Sequence, residues 1–448
     1  MVKMNKVKST ITEQDIPYKL PENWTWYYWG DIIQEYQQGL IRSNSELGDI
    51  GFEYFKMNNI SDDGTYNFDN LQKTEATEKE CETYSIKNSD FFINVRNSRE
   101  LVGKSCVIGN VDRTILFNHM LIRISHKDYI ANEFINAFFN IPSSKKMIER
   151  CKQGTTTVIA LYQNDLYKIP IAVPDIETHN KIVAFYKNIS SKIELNNKIN
   201  KELENLAKTI YEYWFVQNAG EEWERKRIGE MAEVIRGTMI TEKQTKEGNI
   251  KVVAGGIHYS YFHSEFNRER NTITVSGSGA NAGFVNFWHE RIFASDCTTV
   301  RGKNDIDTFL IFQHLKFNQE NIFRSAKGSA QPHVYPSDIK DIWFYEIPQN
   351  IKNKFGLIFT TINEQIAKQL LENTNLAHLR DFLLPLLMNG QVTVGDVQDE
   401  PTIIPFNNFA DSDTKYQTWK EQIGLAARGN IDEQTLRNIY EAIDENDR

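Results

Sequence analysis

Directly after the apolar run Phe91-Phe92-Ile93-Asn94-Val95 stands Arg96-Asn97-Ser98-Arg99, with Gly103-Lys104 a few residues on. These side chains have the chemistry of base and phosphate contact. Arginine donates a bidentate pair to guanine, asparagine pairs with adenine, and lysine meets phosphate as a point charge. A solvated basic turn would have the same composition. Gln37, Gln38, Arg42, Lys56 and Asn58 form a second polar group with the same capacity. Further along, Ser276-Gly277-Ser278-Gly279-Ala280-Asn281 follows another strand-like run. It has the glycine content of a phosphate loop but lacks GK[ST] and a βαβ context. Close approach of its backbone, Ser276, Ser278 and Asn281 to DNA phosphates stands against an ordinary tight turn. Lys327, Gln331 and His333 add donors. His258, Tyr261 and His263 have the reach for bases and suit a strand surface equally.

None of these groups forms a catalytic constellation. No [DNS]-P-P-[FYW] motif of an adenine methyltransferase occurs, no glycine motif marks a methyl-donor site, and the acids show no nuclease pattern. Asp296-Cys297 beside His289 has the residue types of a nucleophile system, but nothing else in the sequence supports that grouping and chance explains it better. Cys81, Cys106, Cys151 and Cys297 lie far apart without a CxxC pair, so reduced thiols are expected and a metal site is not. No apolar run approaches the ~18 residues of a membrane span, and MVKMNKVKST lacks the apolar core of a secretory signal, so a cytoplasmic location is expected.

The net charge of −9 is at first sight wrong for a nucleic-acid binder. The acidity is local, however: residues 395–448 hold 12 acids against 5 bases, and residues 1–394 carry a net charge of only −2. The body of the chain therefore permits nucleic-acid binding without arguing for it.

Positioning comes from repetition. Trp24–Gly39 (WTWYYWGDIIQEYQQG) resembles Trp223–Gly237 (WERKRIGEMAEVIRG): a tryptophan, a glycine six positions on, an acid, then an apolar run closing on glycine. Gly154 and Gly328 each stand twenty residues before a proline, Pro174 and Pro348, that ends an Ile-Pro or Val-Pro segment. A long helical pattern follows each proline. Ile182, Phe185, Ile189, Ile193, Ile199, Leu203, Leu206, Ile210 and Tyr213 form the first series. Phe355, Ile358, Ile362, Ile366, Leu376, Leu379, Leu383 and Leu387 form the second, aligned at an offset of 173. Spacing of three and four over five heptads predicts a coiled coil, weakened by the polar stretches 194–202 and 367–375. Matched length and register favour pairing of the two helices with each other over packing on separate cores. A first helix over 180–215 would be ~54 Å long. Between the helices, runs of Val, Ile, Phe and Tyr broken by Gly, Asn and Asp predict strands, with short helices at 132–150 and 307–317.

Taken in order, these pieces resemble the specificity subunits of type I restriction–modification systems over residues 20–394. The resemblance is carried by Pro21-Glu22-Asn23-Trp24 with Gly30-Asp31, by the Ile-Pro and Val-Pro segments, and by Tyr211-Glu212-Tyr213-Trp214-Phe215-Val216. Leu383-Leu384-Pro385-Leu386-Leu387-Met388-Asn389-Gly390 closes the second helix, and Gly328-Ser329-Ala330-Gln331-Pro332-His333 is similar to a loop that precedes the helix in the family. The resemblance implies an α+β fold of two similar mixed α/β target recognition domains joined by two long antiparallel coiled-coil spacer helices. The expected division is an arm 1–20, recognition domains 21–174 and 220–348, helices 175–219 and 349–394, and an acidic tail 395–448. It further implies a non-catalytic reader of an asymmetric, bipartite duplex DNA target with a fixed gap. Two methyltransferase subunits and two restriction subunits would be partners, with S-adenosylmethionine and ATP with Mg belonging to them. The tail is a departure: residues 413–445 read as two short acidic helices with Trp419, Ile423, Leu436, Ile439 and Ile443 on one side. A partner dock, an exposed appendage and a closure of the first repeat are all open for it. The function of another class that fits the near-neutral body is a coiled-coil scaffold for proteins.

Overall fold

A computed structural model describes residues 2–3, 11, 16, 18–127, 129–154, 158–220, 222–326 and 332–395. Most of the expected arm and nearly all of the acidic tail lie outside the described residues, as do Lys327 and Gln331. The chain divides into two compact units, with boundaries after Ile193 and after Asn373. Each unit holds one mixed α/β domain and a length of each of two long helices.

The two domains have the same strand plan. In the first, Ile33–Gln38, Leu121–His126, Phe91–Asn94 and Ser105–Val107 lie side by side, all antiparallel. In the second, Ala232–Arg236, Cys297–Gly302, Thr272–Ser276 and Val285–Trp288 repeat that order and sense. A smaller sheet accompanies each. Phe52–Phe55 pairs antiparallel with Gln72–Thr74 and parallel with Ile115–Phe117. Ile250–Val253 does the same with Tyr259–His263 and Ile292–Ala294. The opening segment of each domain pairs with its closing segment, Thr25–Tyr28 with Pro170–Val173 and Arg225–Arg227 with Trp343–Tyr345.

Side chains alternate across a strand, and the central strand of the first domain is apolar on both faces because both are covered. Phe91 and Ile93 enter a core with Trp29, Phe134 and Phe139, whereas Phe92 enters another with Phe55, Ile86 and Phe117. The matching strand of the second domain is also buried on both faces, but only Ile273 and Val275 on one of them are apolar. Its other face carries Thr272, Thr274 and Ser276, satisfied by hydrogen bonds to Glu269 O, Trp288 Nε1 and Gly256 O. Short helices fall at Asn132–Asn140, Pro142–Cys151 and Asp305–Phe317, close to the expected places.

The first long helix runs over Ile176–Tyr211 and the second over Gln349–Met388. Asp175 caps the first, its Oδ1 accepting from the backbone N–H groups of Glu177 (3.1 Å) and Thr178 (3.0 Å). The helix begins four residues before the expected 180 and widens into a π turn at Glu212–Gln217, which ends two residues past the expected 215. The helices pair antiparallel, and each unit shows it. In the first, Tyr186 is buried with Leu384, Leu387 and Met388. In the second, Asn196 donates to Glu372 (2.9 Å) and Asn373 (2.8 Å), and Phe215 packs on Phe355 and Phe359.

The expected seam needs two corrections. Tyr213 is 42% exposed, and Tyr211 is the buried tyrosine at the end of the first helix. Leu379 is 46% exposed, and the buried positions in the last turns are Arg380, Leu384, Leu387 and Met388. Arg380 holds a seam position because its charge is met there by Asp381 (2.9 Å) and Asp63 (3.5 Å). The polar stretch in the first helix likewise turns Asn196 and Asn200 inward and leaves Leu195 exposed.

Candidate nucleic-acid interface

Three backbone links recur in both domains and define one frame. Gly39 N–H donates to Leu121 O, as Gly237 N–H does to Cys297 O. Val95 N–H donates to Met120 O, as Gly277 N–H does to Asp296 O. Leu161 N–H donates to Val95 O, as Val334 N–H does to Gly277 O. The two glycines are required by crowding: a Cβ on either would stand 2.2 Å from a backbone carbonyl, that of Asn118 or of Ser295. The frame therefore matches position to position. Gln38 corresponds to Arg236, Met120 to Asp296, Arg96 to Ser278, and Ala160 to His333.

In the first domain the frame carries Gln38, His119 and Arg96. Gln38 Nε2 donates to His119 O (2.9 Å), and its side chain is otherwise exposed. Burial, assisted by the Arg96 charge, holds the His119 imidazole below its ordinary range, which makes it a neutral group beside a cation. Arg96 is exposed and makes no ion pair or side-chain hydrogen bond among the described residues. Asn97 turns its Oδ1 onto Ser98 N–H, and both Arg96 and Asn97 pair with the strand at Ile159–Leu161.

In the second domain Ser278 donates to Asp296 Oδ2, and Asp296 Oδ1 accepts from Arg236 Nη2 at 3.2 Å. Ser278 pairs with His333, whose ring stacks on Tyr335. Ser276 is buried and gives its hydroxyl to Gly256 O, so it supports the loop from below. Asn281 is half-buried beside it, and its carbonyl accepts from Phe284 N–H.

The remaining sequence candidates fall elsewhere or are engaged within the fold. Arg42 is tied to Thr74, Ile41 O, Glu75 O and Glu80, which occupies every guanidinium nitrogen. Gln37 donates to Thr83 O and accepts from buried Arg123. Lys56 reaches Gln72 at 2.5 Å, and Asn58 is exposed on the next turn. Arg99 pairs with Glu149, and Lys104 with Asp62 at 3.0 Å. Tyr261 donates to Ile240 O, and burial raises its hydroxyl above the usual phenol range. His258 is exposed. His263 is buried, with Nδ1 accepting from Lys246 N–H.

Sequence reading passed over Arg236 and His119, and weighed Asp296 only as part of a nucleophile system. Arg236 was discoverable, because it holds the position before Gly237 that Gln38 holds before Gly39.

No helix among the described residues is long and apolar enough to cross a membrane. A twice-written α/β frame on a helical pair, presenting amide, guanidinium and imidazole groups, is the build of a modular recognition protein. The family model described as the type I restriction modification DNA specificity domain matches residues 21–205 and again 220–374. The chain belongs to that family. It is 24% identical over 364 residues to the type I restriction enzyme MjaIX specificity subunit of Methanocaldococcus jannaschii, covering 72% of this chain and 82% of that one. A 71-residue stretch is 35% identical to the type I restriction enzyme HindI specificity subunit of Haemophilus influenzae, 16% of this chain and 15% of that one. Among solved structures, the type I restriction–modification S subunit from M. genitalium is similar, at 18% identity and a TM-score of 0.48. That match covers 83% of this chain and 98% of the other.

Proposed function

We propose that this chain is the non-catalytic DNA-recognition subunit of a type I restriction–modification complex, each domain reading one half of a bipartite target. The observation that supports it is the shared frame: one backbone arrangement written twice, with different polar side chains at matched positions. Unlike readers require unlike half-sites, so the target is asymmetric. The paired helices then fix the length of the unread gap. Methyl transfer and restriction belong to other subunits, two of each, which bring S-adenosylmethionine and ATP with Mg. Those partners dock on this chain, which works in the cytoplasm beside the DNA.

The test is selection of bound duplexes from a randomised pool by this chain co-expressed with its methyltransferase subunit. Two unlike motifs at one invariant spacing support the reading. Affinity should fall steeply with salt, with a slope of about −0.9 per phosphate neutralised. Failure to select any sequence at low or moderate salt overturns it and favours a protein scaffold.

A further inference from the structure

The arginines of the second domain sort themselves by where their donors go. Arg268 spends Nε on Thr299 Oγ1 (2.9 Å), Nη1 on Asn267 O (2.7 Å) and Nη2 on Arg236 O (3.2 Å), so it is a structural clamp. Arg236 uses Nη2 alone, on Asp296, and keeps 55% of its side chain exposed. Its Nε and Nη1 make no hydrogen bond among the described residues. Asp296 is only 17% exposed and is itself fixed by Ser278. A carboxylate thus grips one edge of the guanidinium and leaves its other donors turned outward. A side chain ordered before binding loses less rotamer freedom when it binds, and a planar fork with free donors matches the O6/N7 edge of guanine.

The matched position in the first domain is prepared in the same way with a different residue. Gln38 gives one amide N–H to His119 O and keeps its Oε1 and second N–H free, the acceptor–donor pair that adenine requires. We propose that this position sets the base read by each domain: Arg236, oriented by Asp296, reads a guanine in one half-site, and Gln38 reads an adenine in the other. Asp296 is a positioning residue. The inference rests on the DNA-reading function above and goes further by naming the side chains that discriminate.

The experiment uses the full chain co-purified with its methyltransferase subunit, and compares selected sequences for wild type, R236Q, D296N and Q38A. R236Q should cost about 10- to 100-fold in preference at a single G·C pair of one half-site, leaving the other half-site and the gap unchanged. D296N should blur that same base pair with no change in melting temperature, a result that a merely structural role would not give. Q38A should blur one A·T pair in the opposite half-site. The inference is overturned if R236Q retains every wild-type base. It is also overturned if R236Q weakens all sequences equally and lowers the salt slope by about one, the mark of a phosphate contact. Failure of the parent reading is distinguishable, because wild type would then select no sequence at all.

Discussion

Gln37 and Gln38 are adjacent in the sequence and opposite in role, and replacing the first tests the division. Gln37 Oε1 accepts from Arg123 Nη2, and its Nε2 donates to Thr83 O at 3.0 Å. Arg123 is 5% exposed, between Ser85 O (2.8 Å), Asp90 (3.0 Å) and Thr83 O (3.1 Å), with Phe117 beneath it. A hydrogen bond to a charged donor is worth about 1.5–3 kcal/mol and a neutral one about 1 kcal/mol. Gln37 is only half-buried, so water recovers part of that, and Gln37→Ala should cost about 2 kcal/mol. In a unit of roughly 200 residues this lowers the melting temperature by about 4–8 °C. Scanning calorimetry of Q37A beside Q38A reads the difference, since Q38A removes one exposed bond and should lie within about 0.5 kcal/mol of wild type. Selected DNA sequences provide the second readout, with Q37A keeping every base. A Q37A protein that melts with wild type and selects an altered base would refute the assignment of Gln37 to the fold and of Gln38 to the DNA.

Other consequences follow from the interior. Burial pushes His126, His289 and His314 down to about 4, so the folded state keeps them neutral where the unfolded chain, near 6.5, binds protons. Stability is therefore full above about pH 6.5 and falls towards pH 4, by about 3 kcal/mol per histidine; a denaturant midpoint that stays flat across that window contradicts this. Asn200 is buried in the helical pair with neither side-chain polar atom partnered among the described residues. Asn200→Leu should raise the melting temperature of the second unit, relieving about 1–3 kcal/mol of unmet hydrogen bonding, and a drop would show that a polar group is required there. Gly237→Ala brings a Cβ against Ser295 O and should cost about 1–3 kcal/mol. By displacing the Arg236 strand it should erase one half-site from the selected motif while the other survives.

The architecture was legible because it rests on spacing, which a sequence displays directly. Apolar residues three and four apart gave the helices, the run Phe91-Phe92-Ile93 gave a strand, and the offset of 173 aligned the two helices. The same offset carries Leu161 onto Val334, which make the same backbone link in the two domains. Where the helical register failed, the cause was charge. Arg380 is buried because Asp63, more than three hundred residues earlier, meets it. The site was far less legible, since side chains of one type differ only in where their donors go. Arg42 stands three residues after Gly39 and Arg236 directly before Gly237, the glycines that close the matched motif in the two domains. Arg42 folds into Thr74 and Glu80, and Arg236 is held half-free by Asp296 sixty residues away. No local pattern separates the two.

That contrast bears on how such a protein acquires a new target. The frame depends on Gly39, Gly237 and backbone links, whose alteration disturbs the sheet. Of the positions they present, Gln38, Arg236 and Arg96 are exposed and Ser278 is half-buried, and none of them belongs to either core. Substitution there changes hydrogen-bonding pattern at small cost in stability, whereas substitution one residue away, at Gln37, disturbs a buried cation. Specificity can therefore drift at a few matched positions while the fold stays constant, and each domain can drift alone because its frame is closed within its own unit. On the proposed function, an asymmetric target follows from two readers that share one frame and differ at those positions.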